Sequence, residues 1–156
     1  MDRRELLALG CLAAVTPWAR AHHGWSSFDQ GRPIYLEGTV QKVAWRNPHV
    51  EFDLKLAANP TLPADLAQRA VPAQSATVDG AGILKAAVLP TRRDAVWQIE
   101  LAPLTRVEAW KLPQIKVGDA LALVGFTFHA EKGEPLLRVE YLFAGGKTYG
   151  MRSSPV

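Results

Sequence analysis

The stretch His49-Val50-Glu51-Phe52-Asp53-Leu54-Lys55-Leu56 alternates polar and apolar side chains without a break. Strict alternation is typical of a β-strand with one face on a core, because successive side chains of a strand point to opposite faces. We therefore expect its four apolar side chains to be buried and its four polar side chains to face the other way. This is the clearest strand of the sequence, and the neighbouring elements are assigned relative to it.

Four other segments have the pattern of β-strands, one before this strand and three after it. A switch of the apolar face near Gly38 predicts a β-bulge in the first of them, and residues 103–112 have apolar residues at helical spacing. The order of two strands, a long interval, a strand, a short helix and two strands is that of an OB-type barrel. The sequence therefore predicts a mostly β fold, either a small five-stranded OB-like barrel or an open sandwich. The five predicted strands are residues 34–45, 49–56, 96–101, 120–130 and 136–143.

Residues 57–94, between the second and third predicted strands, differ in character. They contain several prolines and many alanines and show little periodicity. We expect a long loop or insertion here, with one or two helical turns within residues 62–70. Gly145-Gly146 is expected to end the last strand, so that the β-barrel domain spans residues 34–150 and residues 151–156 form a loose tail.

The N-terminus has the pattern of a signal peptide. A charged start is followed by an apolar run from Leu6 to Val15 and by the small-x-small cleavage site Ala19-Arg20-Ala21. The apolar run is too short to cross a hydrocarbon core of about 30 Å as a helix. We therefore expect a signal peptide at 1–21, an N-terminal arm at 22–33, a periplasmic or secreted protein, and no transmembrane segment. The Arg3-Arg4 pair leaves both the twin-arginine and the general export route open.

The composition limits the classes of partner. The chain has 156 residues, 48% of them hydrophobic and 21% charged, which is a normal balance for one globular domain. The net charge of +3 comes from 18 basic and 15 acidic residues that are mixed along the chain. Without a basic stripe studded with aromatic residues, we expect no nucleic-acid partner. The single cysteine, Cys11, lies in the predicted signal peptide, so no disulfide is expected in the mature protein.

Two blocks of the predicted mature chain are distinctive: Ala21-His22-His23-Gly24-Trp25-Ser26-Ser27-Phe28-Asp29 and Trp45-Arg46-Asn47-Pro48-His49. They resemble a family of small exported bacterial proteins known as domain of unknown function 6152. The sequence departs from that family at Gly24-Trp25, where the family typically has Ser, and in its longer insertion. The resemblance implies export and the fold, and it leaves the chemistry open. Further similar blocks are Leu36–Val40, Trp97–Leu101 and Val117–Phe126.

The histidines are the main candidates for a metal site. Cleavage after Ala21 would make His22 the N-terminal residue, so that its amine and its imidazole could bind one metal ion near neutral pH. His23 follows directly, and His49 is a candidate ligand from the polar face of its strand. Because nitrogen-rich sites favour Cu(II) among the divalent first-row metals, His22, His23 and His49 predict a copper-like site. The alternative is that His49 has a structural role at the turn after Asn47-Pro48.

A small ligand pocket is also predicted, lined by Trp45, Asn47, Glu51 and Glu100, although a core position is the favoured alternative for Trp45. The chain has no nucleophile elbow, phosphate-binding glycine loop or His-Glu-x-x-His motif, so we predict no catalytic residue. The leading hypothesis is an exported binding module for a copper-like metal or a small ligand. One alternative is an accessory protein that docks another exported protein, with structural histidines. Another is a small copper-dependent oxidative enzyme.

Overall fold

The computed structural model describes residues 23–156. These residues contain six β-strands and two α-helices, with short 3-10 turns at Trp25–Ser27, Leu66–Gln68 and His129–Glu131. No helix in this part of the chain is long and apolar enough to cross a membrane. The strands are β1 (Ile34–Ala44), β2 (Glu51–Leu56), β3 (Val96–Glu100), β4 (Ala120–Phe126), β5 (Leu136–Ala144) and β6 (Lys147–Gly150), and the helices are α1 (Gly80–Ala86) and α2 (Leu104–Ala109).

The first five strands close into a barrel. β1 is antiparallel to β2 on one side and to β4 on the other, β2 pairs with β3, and β4 pairs with β5. A parallel pairing of β3 with β5 completes the ring. This strand order, with α2 between β3 and β4, is that of an OB barrel. The predicted OB-like barrel is therefore confirmed, and the alternative of an open sandwich is wrong.

The barrel interior is filled by one face of each strand. Val50, Phe52 and Leu54 are almost completely buried, as the alternation in this segment predicted. α2 adds Val107 to the same core. The side chain of Asn47 accepts a hydrogen bond of 3.2 Å from the first amide of this helix, and so caps it.

The irregularity of β1 lies at a different position from the one predicted. The register between β1 and β2 shifts between Val40 and Lys42, so the bulge is at Gln41. Gly38 is instead needed for the close approach of β1 to β2. A Cβ at this position would collide with the carbonyl group of Lys55 on β2. A glycine here lets two neighbouring strands approach closely where β1 coils around the barrel.

The sheet also extends beyond its predicted end. Gly145 and Gly146, expected to end the last strand, form a tight turn with φ values of 57° and 75° that leads into β6. β6 pairs antiparallel with β5. β4, in contrast, ends at Phe126 rather than at residue 130, and Ala130 lies in the loop after it.

The insertion at residues 57–94 is packed, although its lack of periodicity predicted a loop. Leu66 and Leu84 are buried in a second core against Tyr35, Val124 and Tyr141, which lie on the outer face of β1, β4 and β5. The insertion therefore covers part of the barrel's outer face.

Helix α1, within this insertion, was not predicted. Gly80 and Gly82 are poor helix formers. The helix is nevertheless capped by Asp79, whose carboxylate accepts a hydrogen bond of 3.0 Å from the amide of Gly82. Gly80 is required because a Cβ there would collide with Val71 and with the hydroxyl of Tyr141. Tertiary packing therefore outweighs the weak local propensity.

A buried carboxylate ties the end of the insertion to the β4–β5 loop. Glu131 accepts hydrogen bonds from the amides of Thr91 and Arg92, at 3.0 and 2.9 Å, and from the guanidinium of Arg32. Arg92 in turn donates to the carbonyls of Glu131 and Gly133, at 2.8 and 3.0 Å. Burial acts to raise the pKa of Glu131, but these donors stabilise the charged form and lower its pKa overall.

The C-terminal segment, predicted to be a loose tail, packs against the domain. Met151 is buried. The indole of Trp110 donates a hydrogen bond of 2.9 Å to the carbonyl of Ser153, and the amide of Ser153 donates to the side chain of Gln74 at 3.1 Å. These contacts join residues 151–156 to both α2 and the insertion.

Candidate functional site

Three of the predicted site residues meet on the outer face of β2, β3 and β5. The strand register places Glu51 opposite Glu100, and Glu100 beside Arg138. Nδ1 of His49 lies 3.2 Å from Oε1 of Glu100, and the guanidinium of Arg138 forms an ion pair with the same oxygen. The structure therefore brings His49, Glu51 and Glu100 together around a buried arginine that the sequence did not single out.

The contacts of His49 determine what its ring can do. Nε2 of His49 lies 3.4 Å from Nη1 of Arg138. Because a guanidinium has no acceptor, Arg138 can only donate towards Nε2, while Nδ1 faces the carboxylate of Glu100. A metal ion at Nε2 would have to displace Arg138. These contacts favour the structural role of His49.

The N-terminal arm covers this charged cluster. The ring of Trp25 lies between two guanidinium groups, 4.9 Å from Cζ of Arg138 and 3.7 Å from Cζ of Arg152. Arg152 forms hydrogen bonds and an ion pair with Glu140 at 2.9 and 2.7 Å. Glu140 is fully buried at the bulge of β5, where the register with β4 shifts. Stacking on both arginines holds the arm against the barrel.

Burial shifts the charges in this cluster. It lowers the pKa of Arg138, and the nearby Glu100 opposes that shift. Burial also raises the pKa of Glu140, against the effect of Arg152. Each charge is thus compensated by a neighbour, as buried charges require.

The remaining predicted site residues have separate surroundings. His22 lies outside the described residues. His23 packs edge-on against the rings of Phe28 and Phe128, with centroid distances of 6.2 and 5.0 Å. Trp45 packs against the barrel core, and Asn47 caps α2. Within residues 23–156, no group of three or more His, Cys, Asp or Glu side chains is arranged to hold a metal ion.

A cleft of about 1240 Å³ lies elsewhere on the outer face of the barrel, and the sequence analysis missed it. Its floor consists of outward-facing side chains of residues that are paired across neighbouring strands, in two parallel rows. The alanines at positions 120 and 122 alternate with buried Leu121 and Leu123, and their small side chains leave a trough. This alternation of Ala and Leu is the one signal in the sequence that could have indicated it. The two rows are Glu37-Ala122-Phe143-Thr148 and Lys55-Thr39-Ala120.

The insertion forms one wall of this cleft. Residues 69–72 line it, together with Asp65. Cζ of Arg69 stacks 4.6 Å from the ring centroid of Phe143, and Nε of Arg69 pairs with Asp65 at 3.0 Å. Trp110 and Tyr149 add aromatic surface to the lining. The cleft is therefore bounded by apolar and aromatic side chains, with its arginine already paired.

Charges in the cleft are partly compensated. The hydroxyl of Tyr35 donates a hydrogen bond of 2.8 Å to Glu37. Burial, followed by this bond to a carboxylate, raises the pKa of Tyr35. Lys55 and Lys147 also line the cleft, and within the described part of the chain neither has an ion-pair partner within 4 Å. The cleft thus has two cations available to a ligand.

Comparison with known proteins identifies one related family. Residues 9–65 match the model of a family of unknown function, DUF6152. This match confirms the resemblance that the His-His opening and the Trp45–His49 block indicated. No curated protein and no solved structure matches the chain.

Proposed function

We propose that this chain is an exported binding module that takes a small ligand into the cleft on the outer face of its barrel. The observation that carries the proposal is the open trough over Ala120 and Ala122, between the insertion and the turn into β6. Concave, largely apolar surfaces with a few polar groups are typical ligand sites. A pair of alanines on a strand surface does not by itself indicate a ligand site, but here the insertion and two aromatic side chains flank it.

Binding is favoured over catalysis because both carboxylates of the cleft are engaged with neighbouring side chains. Asp65 pairs with Arg69, and Glu37 accepts from Tyr35. Catalysis by acid–base or nucleophilic chemistry needs a group that is oriented by a neighbour and open to a substrate. The cleft residues described above offer lysines and aromatic rings, which suit recognition.

Export is proposed from the signal sequence. The cleavage site Ala19-Arg20-Ala21 supports release of the domain outside the cytoplasm. Protein expressed from the full chain should be recovered from the periplasm or the medium, with His22 as its first residue. Recovery of cytoplasmic protein that retains Met1 would contradict export, and it would leave the cleft proposal to its own test.

Ligand binding in the cleft is tested with a variant that fills the cleft with a large side chain. Ala120 is exposed and lies on the floor, so Ala120→Trp should fill the trough without disturbing the core. A thermal-shift screen of small molecules should give compounds that raise the Tm of the wild-type protein and not that of Ala120→Trp. Ala81→Trp, at an exposed position of α1 outside the cleft, is the matched control and should respond like the wild type. Ligands whose effect survives in Ala120→Trp would show that they bind elsewhere.

Copper binding by the new N-terminus is a second candidate, and the path of the arm supports it. Trp25 contacts Arg138, which contacts His49. The arm therefore folds back along the barrel to the cluster that contains His49. His22 is three residue steps from Trp25, a span of at most about 11 Å. An N-terminal His22 that used its amine and imidazole would then have His23 as a further nitrogen donor, and His49 would join them only once Arg138 is displaced from its Nε2.

A Cu(II) titration by calorimetry tests the second candidate. The protein cleaved at Ala21 should bind Cu(II) more tightly than a version with one extra residue before His22, because the extension removes the free amine beside the ring. If His49 is a ligand, His49→Ala should also weaken binding, whereas His129→Ala, an exposed histidine, should not. Equal affinity of the cleaved and extended proteins would overturn the N-terminal copper site.

A further inference from the structure

We infer that the ligand of the cleft is an elongated apolar chain with an anionic group at each end, such as an α,ω-dicarboxylate of medium or long chain. The inference rests on the proposed binding function of the cleft and names the class of ligand. It follows from three properties of the floor: its lack of polar partners, its length, and the position of its two available lysines.

The floor offers few hydrogen-bonding groups. β1 pairs with strands on both sides, and so do β4 and β5. The backbone groups of these central strands are therefore used in the sheet. The outward side chains in the middle of the floor are Ala120, Ala122 and Phe143, the small hydroxyl residues Thr39 and Thr148, and Glu37, which already accepts from Tyr35. A peptide or a sugar would lose hydrogen bonds to water here without replacing them, whereas a hydrocarbon chain would lose none.

The floor is also long. Its lining residues come from β2, β1, β4, β5 and β6, which are consecutive in the sheet. Four spacings of about 4.8 Å between strands give a path of roughly 19 Å across the sheet. A ligand that filled this path would be extended rather than compact.

The two lysines lie on the outermost strands of this path, and Lys147 directly precedes Thr148, the last residue of its floor row. Lys55 is on β2, and Lys147 begins β6. Both are exposed, and both line the cleft. Glu37 lies between Tyr35 and Thr39 on the outer face of β1. Its carboxylate accepts a hydrogen bond from Tyr35 and is therefore directed towards Tyr35 and away from Thr39. Since Thr39 is the β1 partner of Lys55, this bond directs the carboxylate away from the end of the path at Lys55.

The test is calorimetry on the purified protein with dicarboxylates from octanedioate to hexadecanedioate, each paired with the monocarboxylate and the alcohol of the same length. The dicarboxylate should bind most tightly, and its advantage should shrink as ionic strength rises. Lys55→Gln and Lys147→Gln should each weaken dicarboxylate binding by about twofold to fivefold, the range for an exposed ion pair. Lys132→Gln, which removes an exposed lysine outside the cleft, is the matched control and should have no effect.

Equal affinity for the dicarboxylate and the monocarboxylate, or no effect of either lysine variant, would overturn this inference. So would the absence of binding by the whole series. The Ala120→Trp variant distinguishes a wrong ligand class from a cleft that binds no ligand. If screened ligands of another class lose their effect in Ala120→Trp, the proposed function stands and only the ligand class is wrong. If dicarboxylates bind equally to Ala120→Trp, the cleft is not their site and the inference fails, while the proposed function is decided by its own screen.

Discussion

Replacing Glu131 by glutamine should loosen the insertion from the barrel. One carboxylate oxygen of Glu131 accepts from Arg32 and Thr91, and the other accepts from Arg92 and Thr91. Glutamine keeps only one oxygen, so in either orientation its NH₂ group faces a donor. Hydrogen bonds to a charged acceptor contribute about 1.5–3 kcal/mol each, and a buried donor left unpaired costs about 1–3 kcal/mol. Because Arg32 is partly exposed, we expect a net loss of about 2–4 kcal/mol at neutral pH.

The pH dependence of this loss identifies its origin. The donors hold the pKa of Glu131 below its ordinary value of 4.5 in the folded protein. The stabilisation is therefore complete above the pKa of the unfolded chain and is lost as the pH falls through the lowered pKa of the folded state. The difference between wild type and Glu131→Gln should be full at pH 7 and should shrink as the pH falls well below 4.5.

Thermal unfolding followed by circular dichroism measures this difference. For a domain of this size, about 3–4 °C per kcal/mol gives a Tm decrease of about 6–16 °C at neutral pH. Glu134→Gln, in the same loop but exposed, should leave Tm within about 2 °C, as for a surface substitution worth at most about 0.5 kcal/mol. Limited proteolysis should then cut Glu131→Gln within residues 57–94 faster than the wild type. A Tm difference that stays the same from neutral to acid pH would refute the role of the ionised carboxylate.

Three further predictions concern the backbone and a buried tyrosine. Gly38→Ala should destabilise the domain by about 2 kcal/mol or more in denaturant unfolding, because its methyl group meets the backbone of Lys55, which cannot rotate away. Ala130→Gly should raise stability by up to about 1 kcal/mol, because Ala130 has a φ of 55°, which glycine adopts without strain. Burial raises the pKa of Tyr141 to about 12, so wild-type stability should fall between pH 10 and 12, where only the unfolded tyrosine ionises readily. Tyr141→Phe should show a smaller fall over that range, and an equal fall in both proteins would contradict this assignment.

The barrel was predictable because its signals are local. The alternation around Phe52 and Leu54, the turn residues between strands and the helical spacing near Val107 together gave the strand order and its closure. β6 was missed because two glycines can end a strand or turn it back on itself, and only the pairing with β5 decides which occurs. α1 was missed because its stability comes from Leu84 packing on the barrel rather than from its glycine-rich sequence.

The candidate sites were less predictable because they depend on contacts between distant segments. His49 and Glu100 were identified from their places on strands, and the structure brings them together. Arg138 alternates with apolar residues of β5 and so has the pattern of an exposed side chain. It is buried because the arm places Trp25 over it, about a hundred residues away along the chain. The cleft likewise depends on where the insertion packs against the barrel. The hydrophobic periodicity of the sequence does not predict that position.

The floor and the wall of the cleft come from separate stretches of the chain, and this separation has an evolutionary consequence. The floor is part of the barrel, where each substitution also affects strand pairing. The wall, around Arg69 and Val71, belongs to a connection whose length and sequence can change while the barrel keeps its hydrogen bonds. Under the proposed function, selection could alter the ligand by remodelling this one connection, and a homologue with a shorter connection would keep the barrel without this wall of the cleft. Grafting this segment onto such a homologue would be a direct way to transfer recognition between them.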